Sequence, residues 1–284
     1  MRMPKSGEGQ DRPEGAPARP AIPGLPAIQR ARTATRWRAA GLMARAYFDL
    51  SYALLSGSTA GRRFLSSATE VEEPVHGYFT TSDRDHLLGA LGPGPDDLLL
   101  DLGSGIGGIA LEIHRRTGAR VIGVDVSPRA VLVATRRAGG DAAVTFRTGD
   151  LARPPLVGAS GGYAIDSLMF VPDLGGALRG ICTTLEPDAR LFAILLVRGP
   201  DPAARLGRAF EAAGARVLRL EDVTAALKES SHRRAGVARA LLRTRELALR
   251  SRLAMLLVVG EEALVRRAVT KGTLSRWRFL IDFP

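Results

Sequence analysis

From about residue 80 onward the apolar positions of the chain alternate between two patterns. Short apolar runs at Leu98–Leu102, Arg120–Asp125, Ala143–Arg147, Tyr163–Ser167, Leu191–Val197 and Ala215–Leu220 read as strands buried on both faces. Between them, Ile109 to Arg116, Ser127-Pro128 to about Arg137, 173 to 185 and 201 to 213 carry three- and four-residue apolar spacing and read as helices. Ser127 and Pro128 supply the N-cap and first helical residue of one of them. An earlier helix, from about Ser82 to Leu91, is stopped by Gly92-Pro93-Gly94-Pro95. Repeated strand–helix units of this kind predict a doubly wound α/β fold with a parallel sheet covered on both faces.

The regularity breaks after the sixth strand. Residues 222–274 read as two or three basic amphipathic helices before a last strand from Arg276 to Phe283, too long and too ordered for a simple connection. At the other end, Trp37, Leu42, Met43, Tyr47, Phe48, Tyr52 and Leu55 are spaced as on a helix, which predicts an N-terminal helical cap over 28–92. Six prolines and four glycines among the first 26 residues leave little to bury, so residues 1–27 are expected to be a disordered tail.

Composition narrows the function classes. With 45% apolar and 24% charged residues the 284-residue chain is ordinary globular protein. Its one cysteine, Cys182, excludes a disulfide framework, and His76, His86, His114 and His232 have no metal-ligand spacing, so no metal is expected. The strongest apolar run, Leu253 to Val259, falls far short of the roughly 20 residues of a spanning helix. No apolar signal segment follows the N-terminus, and a cytoplasmic protein without a membrane partner is expected. The net charge of +11 is divided as +6 over residues 1–46, −3 over 47–226 and +8 over 227–284, and 37 of the 40 basic residues are Arg. Two flanking basic segments are a weak pointer to nucleic acid, which is not the expected partner.

The chemistry gathers at strand ends. Asp101-Leu102-Gly103-Ser104-Gly105-Ile106-Gly107-Gly108 directly follows a strand and opens a helix, where glycines let the backbone turn sharply and approach a ligand. An acid two residues before the first glycine suits a cationic ammonium group and would repel a pyrophosphate. Asp125 closes the second strand, where a carboxylate can accept from both hydroxyls of a ribose. Asp150, after the third strand, can accept from an adenine amino group.

At these residues the sequence resembles the class I S-adenosylmethionine-dependent methyltransferases, small-molecule natural-product type, from about Val75 to the C-terminus. The resemblance implies a Rossmann-like seven-stranded methyltransferase sheet, with the helical cap acting as cofactor lid and residues 93–284 as the catalytic domain, the helices of 222–274 inserted between strands six and seven. It implies S-adenosylmethionine as cofactor, with Asp101, Gly103 and Gly105 on its methionine part, Asp125 on the ribose and Asp150 with Leu151 on the adenine. Ser104, Gly107, Val126 and Ser167 flank these positions and complete the implied site. Val75-His76-Gly77-Tyr78-Phe79 is similar to the segment whose tyrosine closes over the cofactor. Ile165-Asp166-Ser167-Leu168-Met169-Phe170-Val171-Pro172-Asp173 is similar to the fourth-strand motif, although the Phe-Asp that usually opens that strand is Ala159-Ser160 here.

The expected reaction is methyl transfer to the N, O or C atom of a small molecule, leaving S-adenosylhomocysteine. A phenol, alcohol or carbon acid would need a general base, for which His76, His86 and Asp166 are the candidates in that order. Trp277 or residues near Met255 are expected to touch the acceptor. Two other classes stay open: an RNA methyltransferase that uses the basic helices, and a methyltransferase-fold protein with other chemistry, such as cyclisation. A monomer or a homodimer is expected.

Overall fold

The computed structural model describes residues 46, 48–55, 58–155, 158–244 and 247–284. The expected tail over 1–27 and the opening of the expected cap lie outside them. Helical residues 48–55 are followed by α1 (Thr59–Ser67) and α2 (Thr81–Leu91). A capping box starts α2: the Thr80 hydroxyl accepts from the Asp83 amide at 3.1 Å, and the Asp83 carboxylate accepts from the Thr80 amide at 3.2 Å. Gly92, in the left-handed region, ends it.

The wound part then runs β1 (Leu98–Leu102), α3 (Gly108–Thr117), β2 (Arg120–Asp125), α4 (Pro128–Ala138), β3 (Val144–Thr148), β4 (Ala159–Ile165), α5 (Leu174–Cys182), β5 (Leu185–Arg198), α6 (Pro202–Ala213) and β6 (Arg216–Asp222). Two helices, α7 (Thr224–Leu242) and α8 (Leu249–Thr270), precede β7 (Leu274–Asp282). The sheet order is β3-β2-β1-β4-β5-β7-β6, and β7 alone runs antiparallel, between β5 and β6. Chain order reverses between β1 and β4, so a ligand crevice opens at the carboxyl ends of these two strands.

The expected strands are all present; β7 begins at Leu274, two residues before its expected start, and β4 and β5 begin well before their apolar runs. β4 starts at Ala159 because its backbone already pairs with Leu185 there, while Gly161 and Gly162 add nothing to a hydropathy pattern. β5 correspondingly starts at Leu185 and carries exposed Glu186, Pro187 and Asp188 before its buried half.

One sheet face packs Leu99, Val121, Phe192 and Ile194 against α2 to α4, and the other packs Leu100, Val124, Leu191 and Phe279 against α5 and α6. A third cluster joins Tyr52 and Leu55, Phe64 and Leu65 of α1, Leu241 of α7 and Met255 and Val258 of α8 to Ile106 of the glycine turn. The N-terminal helices and the insertion are thus one cap, built over the loop that follows β1.

Candidate active site

The turn after β1 is tight for two separate reasons. Gly103 and Gly105 take positive φ of 86° and 53°, which side chains rarely adopt. Space is the other: a Cβ on Gly103 would lie 2.3 Å from Ser167 Cβ. The loops after β1 and β4 are therefore in contact, and the Ser167 hydroxyl donates to the Leu102 carbonyl at 2.5 Å. Gly107 differs from the expectation that it faces a cofactor. Its amide bonds the Ser104 carbonyl at 2.9 Å and a Cβ there would meet Phe146 at 2.6 Å, so it serves the packing of the turn.

β1 and β2 pair in parallel with Asp101 opposite Gly123, so Asp125 lies two residues further along the neighbouring strand, close enough for its charge to act on Asp101. Asp101 is fully buried, and its Oδ2 has no hydrogen-bond partner. Burial raises its pKa to about 8; hydrogen bonding with the adjacent Tyr163 hydroxyl pulls the other way, and the Asp125 charge adds to the rise. Asp125 accepts from the Gly105 amide and from the Ser127 amide, both at 2.9 Å, and so fixes the turn against the start of α4. Burial raises its pKa too, against those two amides, with Asp49 reinforcing the rise. Ser104 is buried with an unpartnered hydroxyl, Val126 and Leu151 are half-buried, and Asp150 is exposed at the rim with Oδ1 on the Ala152 amide at 2.9 Å.

The roof is aromatic. Tyr52 reaches over Gly105 so closely that a Cβ there would lie 2.9 Å from its hydroxyl. Its ring stacks with Phe48 at 6.0 Å and meets the His76 imidazole edge-on at 5.3 Å, while Phe48 meets Phe170 at 4.9 Å. The Ser127 hydroxyl donates to Asp49, pinning the helical residues 48–55 to α4. His76 Nε2 lies 3.0 Å from the Ser51 hydroxyl, and burial, with the Arg234 charge adding, lowers its pKa to about 3. It is a neutral imidazole at physiological pH.

The other two candidate bases stand elsewhere or are committed. His86 sits on the outer side of α2, with Nδ1 on the Ser82 carbonyl at 2.7 Å, in a surface hollow with Arg190 and Arg219. The carboxyl edge of the sheet is not within its reach. Asp166 is at the end of β4, with φ of 49°, but both its oxygens are held: Arg276 donates Nε to Oδ1 at 3.1 Å and a terminal nitrogen to Oδ2 at 3.0 Å, and the Tyr78 amide donates to Oδ2 at 3.2 Å. Asp166 is a structural anchor for the segment that carries Tyr78. Trp277 points to the α6 face of β7, its indole N–H on Ser275 at 2.9 Å, and Met255 is fully buried in the cap, so neither reaches the crevice.

Sequence reasoning missed the ions that hold the site together. Arg276 is fully buried and also pairs with Asp83 at 3.0 Å; burial opposes its charge, but Asp166 and Asp83 more than offset this and keep it protonated. Arg234, in a basic stretch beside His232 and Arg233, is buried, with Nε on Glu262 at 2.6 Å and a terminal nitrogen on the Gly77 carbonyl at 2.8 Å. The Tyr78 hydroxyl donates to the same Glu262 at 3.2 Å, and the Arg234 guanidinium lies 5.1 Å from its ring centroid. Burial and the Glu262 charge push the Tyr78 pKa up, so it remains a phenol. One signal was legible: Arg276 and Arg278 alternate with Trp277 and Phe279 on a strand between two others, where a charge must find a buried partner.

Residues 99–188 match the family described as methyltransferase domain. An O-methyltransferase of Pyrenophora dematioidea is 30% identical over 169 residues, 56% of this chain and 63% of its own length. A 23S rRNA (uracil(1939)-C(5))-methyltransferase of Methylococcus capsulatus is 32% identical over 132 residues, 46% of this chain and 29% of its own length. The chain thus spans less than two thirds of either relative. Among solved structures, the [4+2]-cyclase SpnF superposes with a TM-score of 0.67 at 19% identity, over 85% of this chain and 95% of that one, which shows a common fold.

Proposed function

We propose that this chain, whose residues 99–188 belong to the methyltransferase domain family and whose fold is that of the class I S-adenosylmethionine-dependent enzymes, transfers a methyl group from S-adenosylmethionine to a small molecule of the natural-product type. The observation that carries this reading is Asp101, a buried carboxyl with an unpartnered oxygen beside a glycine turn and next to a second buried acid. Such an oxygen calls for a cationic donor, and the ammonium group of S-adenosylmethionine fits it. The donor set fits the rest: Asp125 offers its remaining lone pairs to ribose hydroxyls, and Asp150 with Leu151 forms an edge for the adenine. Bound there, the cofactor supplies a methyl group already activated by its positive sulfur.

The chain's own residues then align and dry the reaction. Tyr52, with Phe48 packed on it, covers the turn and keeps water from it, and alignment of this kind is worth roughly 7–11 kcal/mol. Of the three candidate bases His76 alone stands under the roof, since Asp166 is held by Arg276 and His86 lies outside the crevice. With its pKa lowered to about 3 it is a weak base, and its role is to orient an acceptor hydroxyl or amine by hydrogen bonding. An aromatic roof supports a small apolar acceptor over RNA, whose phosphates would call for arginines there.

Calorimetric titration with S-adenosylmethionine tests the donor site: micromolar binding that is lost in Asp125→Ala is expected, and an intact protein that does not bind would overturn it. A panel of phenols and amines, read by accumulation of S-adenosylhomocysteine, tests the transfer. Conversion of an acceptor with no such accumulation would favour the cyclisation reading, which the SpnF likeness makes the second one.

A further inference from the structure

Tyr163 is the largest buried side chain of β4, and packing alone does not explain its hydroxyl. It belongs to the cluster of Leu99, Ile165, Phe192 and Ile194 on the α2-to-α4 face of the sheet, where a phenylalanine would fill the same space. A phenol oxygen taken into such surroundings costs free energy unless it finds a partner. The strand register supplies one. Tyr163 stands directly opposite Asp101 in the parallel pairing of β1 with β4, so both side chains leave the sheet on the same face. On the other flank of Asp101 the opposite residue is Gly123, whose missing side chain leaves room for Phe146 and Ser104. Asp101 and Tyr163 are both buried, and the hydroxyl has no partner other than this carboxyl.

We propose that Tyr163 is a positioning residue of the donor site: its hydroxyl donates to the Asp101 carboxylate, favours the ionised form and leaves Oδ2 for the ammonium group of S-adenosylmethionine. The identity of the ligand rests on the methyl-transfer reading; the pairing of Tyr163 with Asp101 does not. A carboxyl in this place needs such a donor. Burial and the charge of Asp125, itself beside Asp49 of helical residues 48–55, both favour the protonated form of Asp101, and hydrogen bonding with Tyr163 opposes them. Protonated, Asp101 offers a cation no charge; ionised without a donor, it is a bare anion in an apolar sheet. A phenol suits the task because it can donate, and the same burial keeps it protonated well past the range in which Asp101 titrates.

Tyr163→Phe removes the hydroxyl and keeps the ring. In the free protein, carbon NMR of labelled aspartate carboxyls reads the titration of Asp101, its signal identified by its loss in Asp101→Asn. The midpoint is expected about one pH unit higher in Tyr163→Phe than in the parent. Calorimetry with S-adenosylmethionine reads the consequence: affinity about tenfold weaker than the parent's at pH 7, with the gap narrowing to about twofold at pH 9, where the variant's carboxyl ionises too. A midpoint that does not move, or a loss of affinity equal at every pH, as a packing defect gives, would overturn the proposal. A midpoint that moves in a protein that binds no S-adenosylmethionine at any pH would uphold the pairing of Tyr163 with Asp101 and overturn the donor site instead.

Discussion

At the scale of single residues, Asp101 sets the terms. Its carboxyl binds a proton more tightly in the fold, up to a pKa of about 8, than at its ordinary value of 3.8. Its contribution therefore favours the fold most in acid and is lost as pH climbs from about 4 to about 8. Holding an ammonium group requires the ionised form, so affinity for S-adenosylmethionine should rise about tenfold per pH unit between pH 6 and 8 and then level off, read by calorimetry across that range. Asp101→Asn separates the two effects. It should weaken donor binding about 10- to 100-fold, yet raise the melting temperature at pH 8–9 by roughly 2–8 °C, because the buried charge is gone and the amide can donate to the Tyr163 hydroxyl. A variant that is less stable at pH 9 would show that Asp101 holds the fold instead. His76 carries the companion prediction: with an oxygen acceptor, His76→Ala should lower kcat roughly tenfold, the worth of one orienting hydrogen bond, while His86→Ala leaves it unchanged. Equal losses in both would remove the role given to His76.

At the scale of elements, the site depends on β7, a strand that touches no ligand position. Arg276 ties β7 to the end of β4 through the half-buried Asp166 and to the start of α2 through the buried Asp83. Removing it leaves Asp166 without its cation and Asp83 with only the more distant Arg278, at 3.8 Å, so Arg276→Ala should cost about 3–5 kcal/mol in urea unfolding, far more than the loss of a surface ion pair. A cost under 1 kcal/mol would mean that water already reaches these acids. The strands and the glycine turn were legible in the sequence because apolar runs and loop chemistry are local, and Asp101, Asp125 and Asp150 mark three successive strand ends, whereas the place of β7 between β5 and β6 depends on pairing far along the chain. The ion pairs were not legible. Arg234 lies next to His232 and Arg233 in a stretch that reads as a solvated face, and only the packing of α7 on α8 reveals that Glu262 stands beneath it. The same limit separated His76 from His86, two histidines ten residues apart of which the fold brings one to the crevice and leaves the other on the outside of α2.

At the scale of the whole molecule, the cap and the sheet are coupled. Tyr78, Arg234 and Glu262 link the segment before the sheet to both insertion helices, and Tyr52 with Ile106 links the N-terminal helix to the glycine turn. A ligand under that turn touches the cap from below, so its binding free energy stabilises the cap as well as the strand ends. Addition of S-adenosylhomocysteine should therefore slow amide hydrogen exchange in helical residues 48–55, in the Val75–Phe79 segment and in α7 and α8. Helix α6 packs on the far face of the sheet and should exchange as before. Glu262→Gln tests the coupling itself: the glycine turn should stay protected by the ligand while protection of α7 fades, because a neutral amide no longer holds Arg234. If protection of α7 survives the substitution, the cap closes through its apolar contacts alone and the buried ion pair serves only the folding of the insertion.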